Sequence, residues 1–338
     1  MIAEMFRVRG APTLHRRRFA RSVLPLFLLC LALTIATQAM PALADDGAAP
    51  LQIITDEDPQ SGALFAARAM AIRYRAITDV PVVIQSDESG DSVLETYLDQ
   101  VPDDRSILLF THSHLIEMLT DPDGKGFKDI VLLARGISTP QVLVSRCDRF
   151  VDVGEILSAD NRDRTRFGVV DGLSLDTLTA RAFWQRVHGR DPIMQHVRDH
   201  ARLIEAMNDG SIDIAIMSLS AAANRKPVGT FCLRLLLAKE ASERFPNLTT
   251  AASIGIPVSV FRFAGYIARH HGKAEAREEL ARVLADSMHN IAYSAFLAHS
   301  GLDSNSVIGP EEWREQLDAM IRTLTPVLPK DAVLPPSN

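Results

Sequence analysis

Three consecutive acids, Asp56-Glu57-Asp58, follow the apolar run Leu51-Gln52-Ile53-Ile54-Thr55 and precede Pro59-Gln60-Ser61-Gly62. A strand, a tight loop and a helix start in this order present free backbone N–H groups to an anion. The side chains argue the other way. Like charges a few ångströms apart in a partly closed cleft repel by roughly 1–4 kcal/mol per pair. A dicarboxylate or tricarboxylate is therefore badly placed beside these acids, and an amino-bearing solute is better placed. A zwitterion could use both the amides and the carboxylates. Two other readings stay open. Asp58 before Pro59 is a good helix cap, with Ser61 equally able, which would leave Asp56 and Glu57 solvated. Alternatively, Asp56, Glu57 and Asp58 together with His112 and His114 offer oxygen and imidazole donors suited to a divalent cation. No metal and no cofactor is assigned.

The elements that must position these groups alternate. Leu51–Thr55 reads as a strand, 63–77 as a helix, Pro81-Val82-Val83-Ile84-Gln85 as a strand, 92–100 as a helix and Ser106–Phe110 as a strand. Ile130–Ala134 and Gln141–Ser145 read as two more strands. The pattern then restarts with Phe167-Gly168-Val169-Val170-Asp171, a helix over 177–187, the strand Met194-Gln195-His196-Val197, a helix over 201–208, and strands at 212–217 and 231–237. The tail is helical over 275–293, breaks at Gly301, and restarts at Pro310. Such alternation implies parallel sheets covered on both faces. The restart implies a second lobe, with two crossings between lobes near 143–147 and 231–236.

Ligands in open α/β sheets lie outside the carboxyl ends of the strands. Four places qualify. They contribute Thr55, Asp56, Glu57, Asp58, Ser61 and Gly62 from the first loop, and Thr111, His112 and Ser113 after the third strand. The restarted half adds Asp171, Gly172 and Ser174 after its first strand, and Met217 and Ser218 at a later strand end.

The 338-residue chain is 47% hydrophobic, enough for one large core or two ordinary ones. Residues 1–44 form a separate problem. Arg16-Arg17-Arg18-Phe19-Ala20-Arg21, an apolar run over 24–35 and Ala42-Leu43-Ala44 make a cleavable secretory signal, compatible with the twin-arginine route. The apolar run is short for a membrane span, and Leu28-Leu29 before Cys30 argues against a lipid anchor. The whole chain carries 36 basic and 42 acidic residues; losing six arginines and Glu4 with the signal leaves 30 against 41. That balance argues against nucleic acid and anionic membrane surfaces as partners. Cys147 and Cys232 remain, either as a disulfide or as two buried thiols.

The second half carries an ordered series of motifs. Phe245-Pro246-Asn247-Leu248-Thr249-Thr250 leads to Gly255-Ile256-Pro257. Leu297-Ala298-His299-Ser300-Gly301 and Gly309-Pro310-Glu311-Glu312-Trp313 come later. Val82-Val83-Ile84 with Gly90, Phe127-Lys128-Asp129-Ile130, Phe167-Gly168, His196-Val197 and Asp209-Gly210 to Met217 agree in order and spacing. Together they resemble the substrate-binding proteins of tripartite tricarboxylate transporters, the Bug family, over most of 51–328. The resemblance implies an α/β, two-lobed periplasmic binding protein of type II, each lobe a mostly parallel sheet flanked by helices, joined by two hinge strands. Lobe one would comprise 45–144 and 234–330, lobe two 145–233, and 331–338 a tail. It implies a non-enzymatic, monomeric periplasmic protein that clamps a small organic solute for membrane permease subunits.

The chain departs from the family pattern where the solute would sit. The family's glycine loop has become Asp56-Glu57-Asp58-Pro59-Gln60. Its Gly-Ser-Ser-Gly loop has become Gly168-Val169-Val170-Asp171, and Met217 stands where an acid is expected, beside Ser218. These changes favour an amino-containing or weakly charged carboxylate. A ligand-sensing partner of a membrane histidine kinase is the alternative function, and an exported metal-dependent hydrolase a further one. The hydrolase lacks a Gly-x-Ser-x-Gly elbow and a His-Glu-x-x-His motif, and Asp213 lies in a buried strand pattern.

Overall fold

A computed structural model of the chain describes residues 49–86, 92–99, 104–121, 127–170, 172–224 and 230–329. The expected signal at 1–44, the Gly90 turn, the candidate Asp171 and the tail 331–338 lie outside the described residues. Those described belong to one unit, Ala48–Asn338.

The first half runs β1 (Leu51–Thr55), α1 (Gly62–Thr78), β2 (Val82–Ser86), α2 (Val93–Asp99), β3 (Ser106–Thr111), α3 (His112–Thr120) and β4 (Ile130–Arg146). Then come α4 (Val153–Leu157), β5 (Arg166–Val170), α5 (Leu175–His188), β6 (Ile193–Val197), α6 (His200–Asn208), β7 (Ile214–Ser218), α7 (Leu219–Asn224) and β8 (Phe231–Leu237). β9 (Phe261–Arg269), α8 (Ala274–Met288), α9 (Ile291–His299) and α10 (Pro310–Leu324) complete the order.

The strands form two regions with one arrangement. In the first the order is β2-β1-β3-β9-β4, in the second β6-β5-β7-β4-β8. Each has three mutually parallel strands, then one antiparallel strand, then a fourth parallel to the first three. β4 belongs to both. It pairs with β9 as far as Pro140 and with β7 and β8 from Gln141 onward. Two separate strands at 130–134 and 141–145 were expected; they are one strand. Pro140 lacks an N–H, but it stands where β4 exchanges partners, so its missing donor breaks no long ladder. The change of partner thus precedes the 143–147 stretch that the sequence suggests for the first crossing.

β9 was not foreseen as a strand, nor α3 as a helix. The tail helix expected over 275–293 is two helices, divided where Asn290 Oδ1 accepts the N–H groups of Ala292 and Tyr293 and starts α9. Cys147 and Cys232 form a disulfide. It ties the far end of β4 to the start of β8, next to the Ser145–Cys232 pair in the ladder. Six residue steps lie between Gln141, where β4 changes partners, and Cys147, about 20 Å of extended chain, so the bond fastens the sheet's outer end.

Packing is continuous between the two regions. One apolar cluster contains Phe110, Leu115 and Trp313 beside the first sheet and Phe167, Phe183 and Trp184 beside the second. α5 packs against both α3 and α10. Gly265 of β9 permits one close approach: a Cβ there would lie 2.6 Å from the Trp313 ring and 2.7 Å from the Ala134 carbonyl oxygen.

Candidate functional site

The pairing register brings the carboxyl ends of both sheets to one place. β4 runs parallel to β1 and β3 in the first region and antiparallel to β5 and β7 in the second. Its passage therefore begins at the carboxyl ends of one set and ends at those of the other. Thr111 at the end of β3 pairs with Ala264, and Ala264 with Ile137. Ser218 at the end of β7 pairs with Gln141. Four residue steps along β4 lead from Ile137 to Gln141, about 13 Å. Arg262 pairs with Thr139 in the middle of this interval.

The acidic loop at the end of β1 is largely self-contained. Thr55 is buried and its Oγ1 accepts the Glu57 N–H at 3.0 Å. Asp58 Oδ1 accepts the Gln60 N–H at 2.7 Å, and the Asp58 carbonyl accepts the Ser61 N–H at 2.8 Å. Ser61 Oγ then accepts the Leu64 N–H at 3.1 Å and caps α1, so Gly62 is the first helical residue. Of the two capping alternatives, Ser61 holds the position, because Asp58 is used to turn the chain. Pro59 accordingly precedes the helix. Asp58 is exposed, and Glu57 is partly so.

Asp56 reaches across to the next loop. His114 Nε2 lies 3.3 Å from its Oδ1, a long and poorly aligned contact. The His114 ring beside it lowers the Asp56 carboxyl below its ordinary value, against the opposing effect of burial. His114 itself is buried and stacks on Phe110, with ring centroids 5.8 Å apart. Its Nδ1 accepts the Thr111 backbone N–H at 3.0 Å, so the ring proton sits on Nε2. This bond starts α3 directly after β3 and turns the expected polar loop into a first helical turn. Two residues apart on a helix, His112 and His114 take different directions, while Ser113 is exposed.

His112 faces the crossover. Arg262 Nη1 donates to its Nε2 at 3.3 Å, which leaves the proton on Nδ1. Burial first, then the neighbouring Arg262 charge, pushes the His112 pKa down to about 3, opposed weakly by the Phe263 backbone. Arg262 Nη2 also donates to both carboxylate oxygens of Asp176, each at 2.9 Å. Gln141 Nε2 donates to Asp176 Oδ1 at 2.7 Å. Asp176 is the second residue of α5, whose N-cap Ser174 accepts the Thr177 N–H at 3.2 Å. Gly172 holds φ at +94°, a value other residues rarely adopt, in the turn before it. On the β7 side, Ser218 Oγ accepts the Ala221 N–H at 3.3 Å, and the Ser220 N–H donates to Thr139 Oγ1 at 3.3 Å. Met217 is buried in an apolar cluster with Val142, Leu203 and Leu236.

The junction therefore joins Asp56, Thr111, His112 and His114 from the first sheet region to Asp176 from the second, through Arg262 and Gln141. Asp176, Arg262 and Gln141 were not among the residues nominated from sequence. Besides His114 Nε2, which has only the long contact to Asp56, three buried polar atoms here make no well-formed hydrogen bond: His112 Nδ1, Arg262 Nε and Gln141 Oε1. The first two are donors and the third an acceptor. Among the described residues no group of three or more His, Cys, Asp or Glu side chains is arranged to hold a metal ion. Asp213 is a structural group: burial raises its pKa, but hydrogen bonds from Arg166 and Arg149 outweigh this and hold it low.

No protein-family model matches the sequence, and no curated protein matches it. Solved structures do match in fold. A TctC solute-binding protein from Polaromonas superposes with a TM-score of 0.72 at 15% identity, covering 83% of this chain and 98% of that one. MatC from Rhodopseudomonas palustris with bound malate gives 0.60 at 15% identity, covering 83% and 99%. An R. palustris protein with adipate gives 0.60 at 16% identity, covering 85% and 98%. The chain therefore has the mixed α/β fold of the TctC and Bug-type periplasmic solute-binding proteins.

Proposed function

We propose that this protein is a non-catalytic, extracytoplasmic solute-binding protein that holds a small organic solute where the carboxyl ends of its two sheet regions meet. In this reading it passes the solute to the membrane subunits of a tripartite tricarboxylate-type transporter. The observation that carries it is the set of unpartnered polar atoms of His112, Arg262 and Gln141 at that junction. A buried polar group without a partner costs roughly 1–3 kcal/mol. The donor at Arg262 and the acceptor at Gln141 are matched by a solute that has both an oxygen acceptor and an N–H or O–H donor.

The charge of the junction favours an amino-containing or weakly charged carboxylate over a dicarboxylate. MatC holds malate and the second R. palustris protein adipate. Here the Arg262 charge is met by Asp176, and burial holds His112 neutral. Asp56, Glu57 and Asp58 add carboxylates with no lysine or arginine in their loop. Each further anion brought among them is opposed by Coulomb repulsion.

The test is thermal stabilisation by a panel of amino acids, amines, malate, adipate and citrate, together with an assay for turnover. Saturable stabilisation by amino-containing solutes with no turnover is expected. A response to citrate or malate with none to amino solutes contradicts the ligand class, and turnover contradicts the function.

A further inference from the structure

We propose that Asp176 is the specificity-determining residue of the junction: it occupies Arg262 as a built-in carboxylate and so excludes solutes whose carboxylate would need that guanidinium. The inference rests on the solute-binding reading above.

Arg262 is the one lysine or arginine in the stretches that meet at the junction, 56–61, 111–114, 172–177, 218–221, 136–142 and 261–264. It is therefore the natural partner for a carboxylate on an incoming solute, because a guanidinium recognises carboxylate oxygens with paired N–H donors. That role is filled from within. Both Asp176 oxygens lie 2.9 Å from Arg262 Nη2, and Gln141 fixes one of them at 2.7 Å. The Asp176 side chain is 3% exposed and sits in the first turn of α5, where the helix N-terminus favours a negative charge. The carboxylate is thus held from three sides. Arg262 keeps 30% of its side chain exposed, while its Nε is buried.

The bridge also crosses the fold. Arg262 belongs to β9 of the first sheet region, and Asp176 to the helix that follows β5 of the second. A solute carboxylate would have to displace Asp176 and leave it buried without its cation. A solute that donates to Gln141 Oε1 and accepts from His112 Nδ1 or Arg262 Nε needs no such displacement. Removing the charge at 176 should invert the preference, and removing the charge at 262 should push it the other way.

The test uses the full chain and three forms: wild type, Asp176→Asn and Arg262→Gln. Each is titrated calorimetrically with malate, adipate, putrescine and amino acids. D176N keeps an oxygen for Gln141 and frees Arg262; it should bind malate or adipate at least tenfold more tightly than wild type. R262Q leaves Asp176 without its cation and should bind putrescine at least tenfold more tightly than wild type. The double variant D176N/R262Q should lose both gains. Should D176N fail to fold, the R262Q arm decides. Unchanged preference in the folded variants, with wild type still binding amino solutes, overturns the role of Asp176 and leaves the solute-binding reading standing. A wild type that binds nothing in the panel overturns both.

Discussion

The backbone N–H of Thr111 donates to His114 Nδ1 at 3.0 Å, and this one bond fixes a buried ring with its proton facing Asp56. The Asp56 carboxyl is lowered from its ordinary value of 3.8, first by the His114 ring beside it. A depressed carboxyl pKa adds stability above the unfolded value and loses it as pH falls through the folded value. Asp56→Asn should therefore cost under about 1 kcal/mol at pH 6, because the side chain is 45% exposed and screened. The difference from wild type should begin to shrink as pH falls to about 3.8 and keep shrinking below it. Paired denaturation curves across pH 3–7 check this; a gap that widens in acid contradicts it.

His112 works with the opposite acid–base type. Its pKa falls from 6.5 to about 3, so the folded chain binds fewer protons than the unfolded chain between these values. Stability is then lost as pH drops below 6.5, by roughly 2 kcal/mol at pH 5. Urea unfolding at pH 7.5 and 5 should show this loss in wild type and about 2 kcal/mol less of it in His112→Gln. Equal losses in both proteins would contradict a neutral, buried imidazole.

Two glycine substitutions should move stability in opposite directions. Gly265→Ala puts a methyl 2.7 Å from the Ala134 carbonyl oxygen and 2.9 Å from Arg135 Cα, both backbone atoms that cannot step aside. Overpacking of this kind costs about 1–3 kcal/mol. Gly62→Ala opens α1 with nothing within 4 Å of the new methyl and should add about 0.5 kcal/mol. Thermal melts of the two variants beside wild type decide both.

Replacing both Cys147 and Cys232 with serine should lower stability while leaving solute affinity within twofold. The crosslinked positions are 85 residues apart, and chain-entropy arguments assign such a loop about 4–5 kcal/mol. Affinity is spared because the bond lies at the outer end of β4. Denaturant titration and calorimetry on the double variant give the two readouts; a large affinity loss would tie the disulfide to the junction.

Much of the scaffold was legible because buried parallel strands leave short apolar runs between helical patterns, as in Leu51–Thr55 and Phe167–Val170. β4 joins the apolar runs at 130–134 and 141–145 through Pro140, a residue tolerable inside it only because the strand exchanges partners there. β9 escaped although Phe261-Arg262-Phe263 alternates in the manner of a strand, with one cation set among aromatics. The helical start at His112 was hidden because its cap comes from His114, an unusual residue for that task. The acidic loop could be nominated, but the choice between Asp58 and Ser61 as cap depends on where the chain turns. The bridge from Arg262 to Asp176 spans 86 residues of chain, and no local pattern announces a partner so distant.

The most direct test is hydrogen exchange of the whole chain with and without a saturating amino solute from the stabilisation panel. Binding at the junction should protect 55–61, 111–114, 172–177 and 218–221 together, since these segments approach the β4 passage from both sheets. Protection confined to one sheet region, or to the separate groove between Arg186, Lys239 and Arg322, would contradict the account.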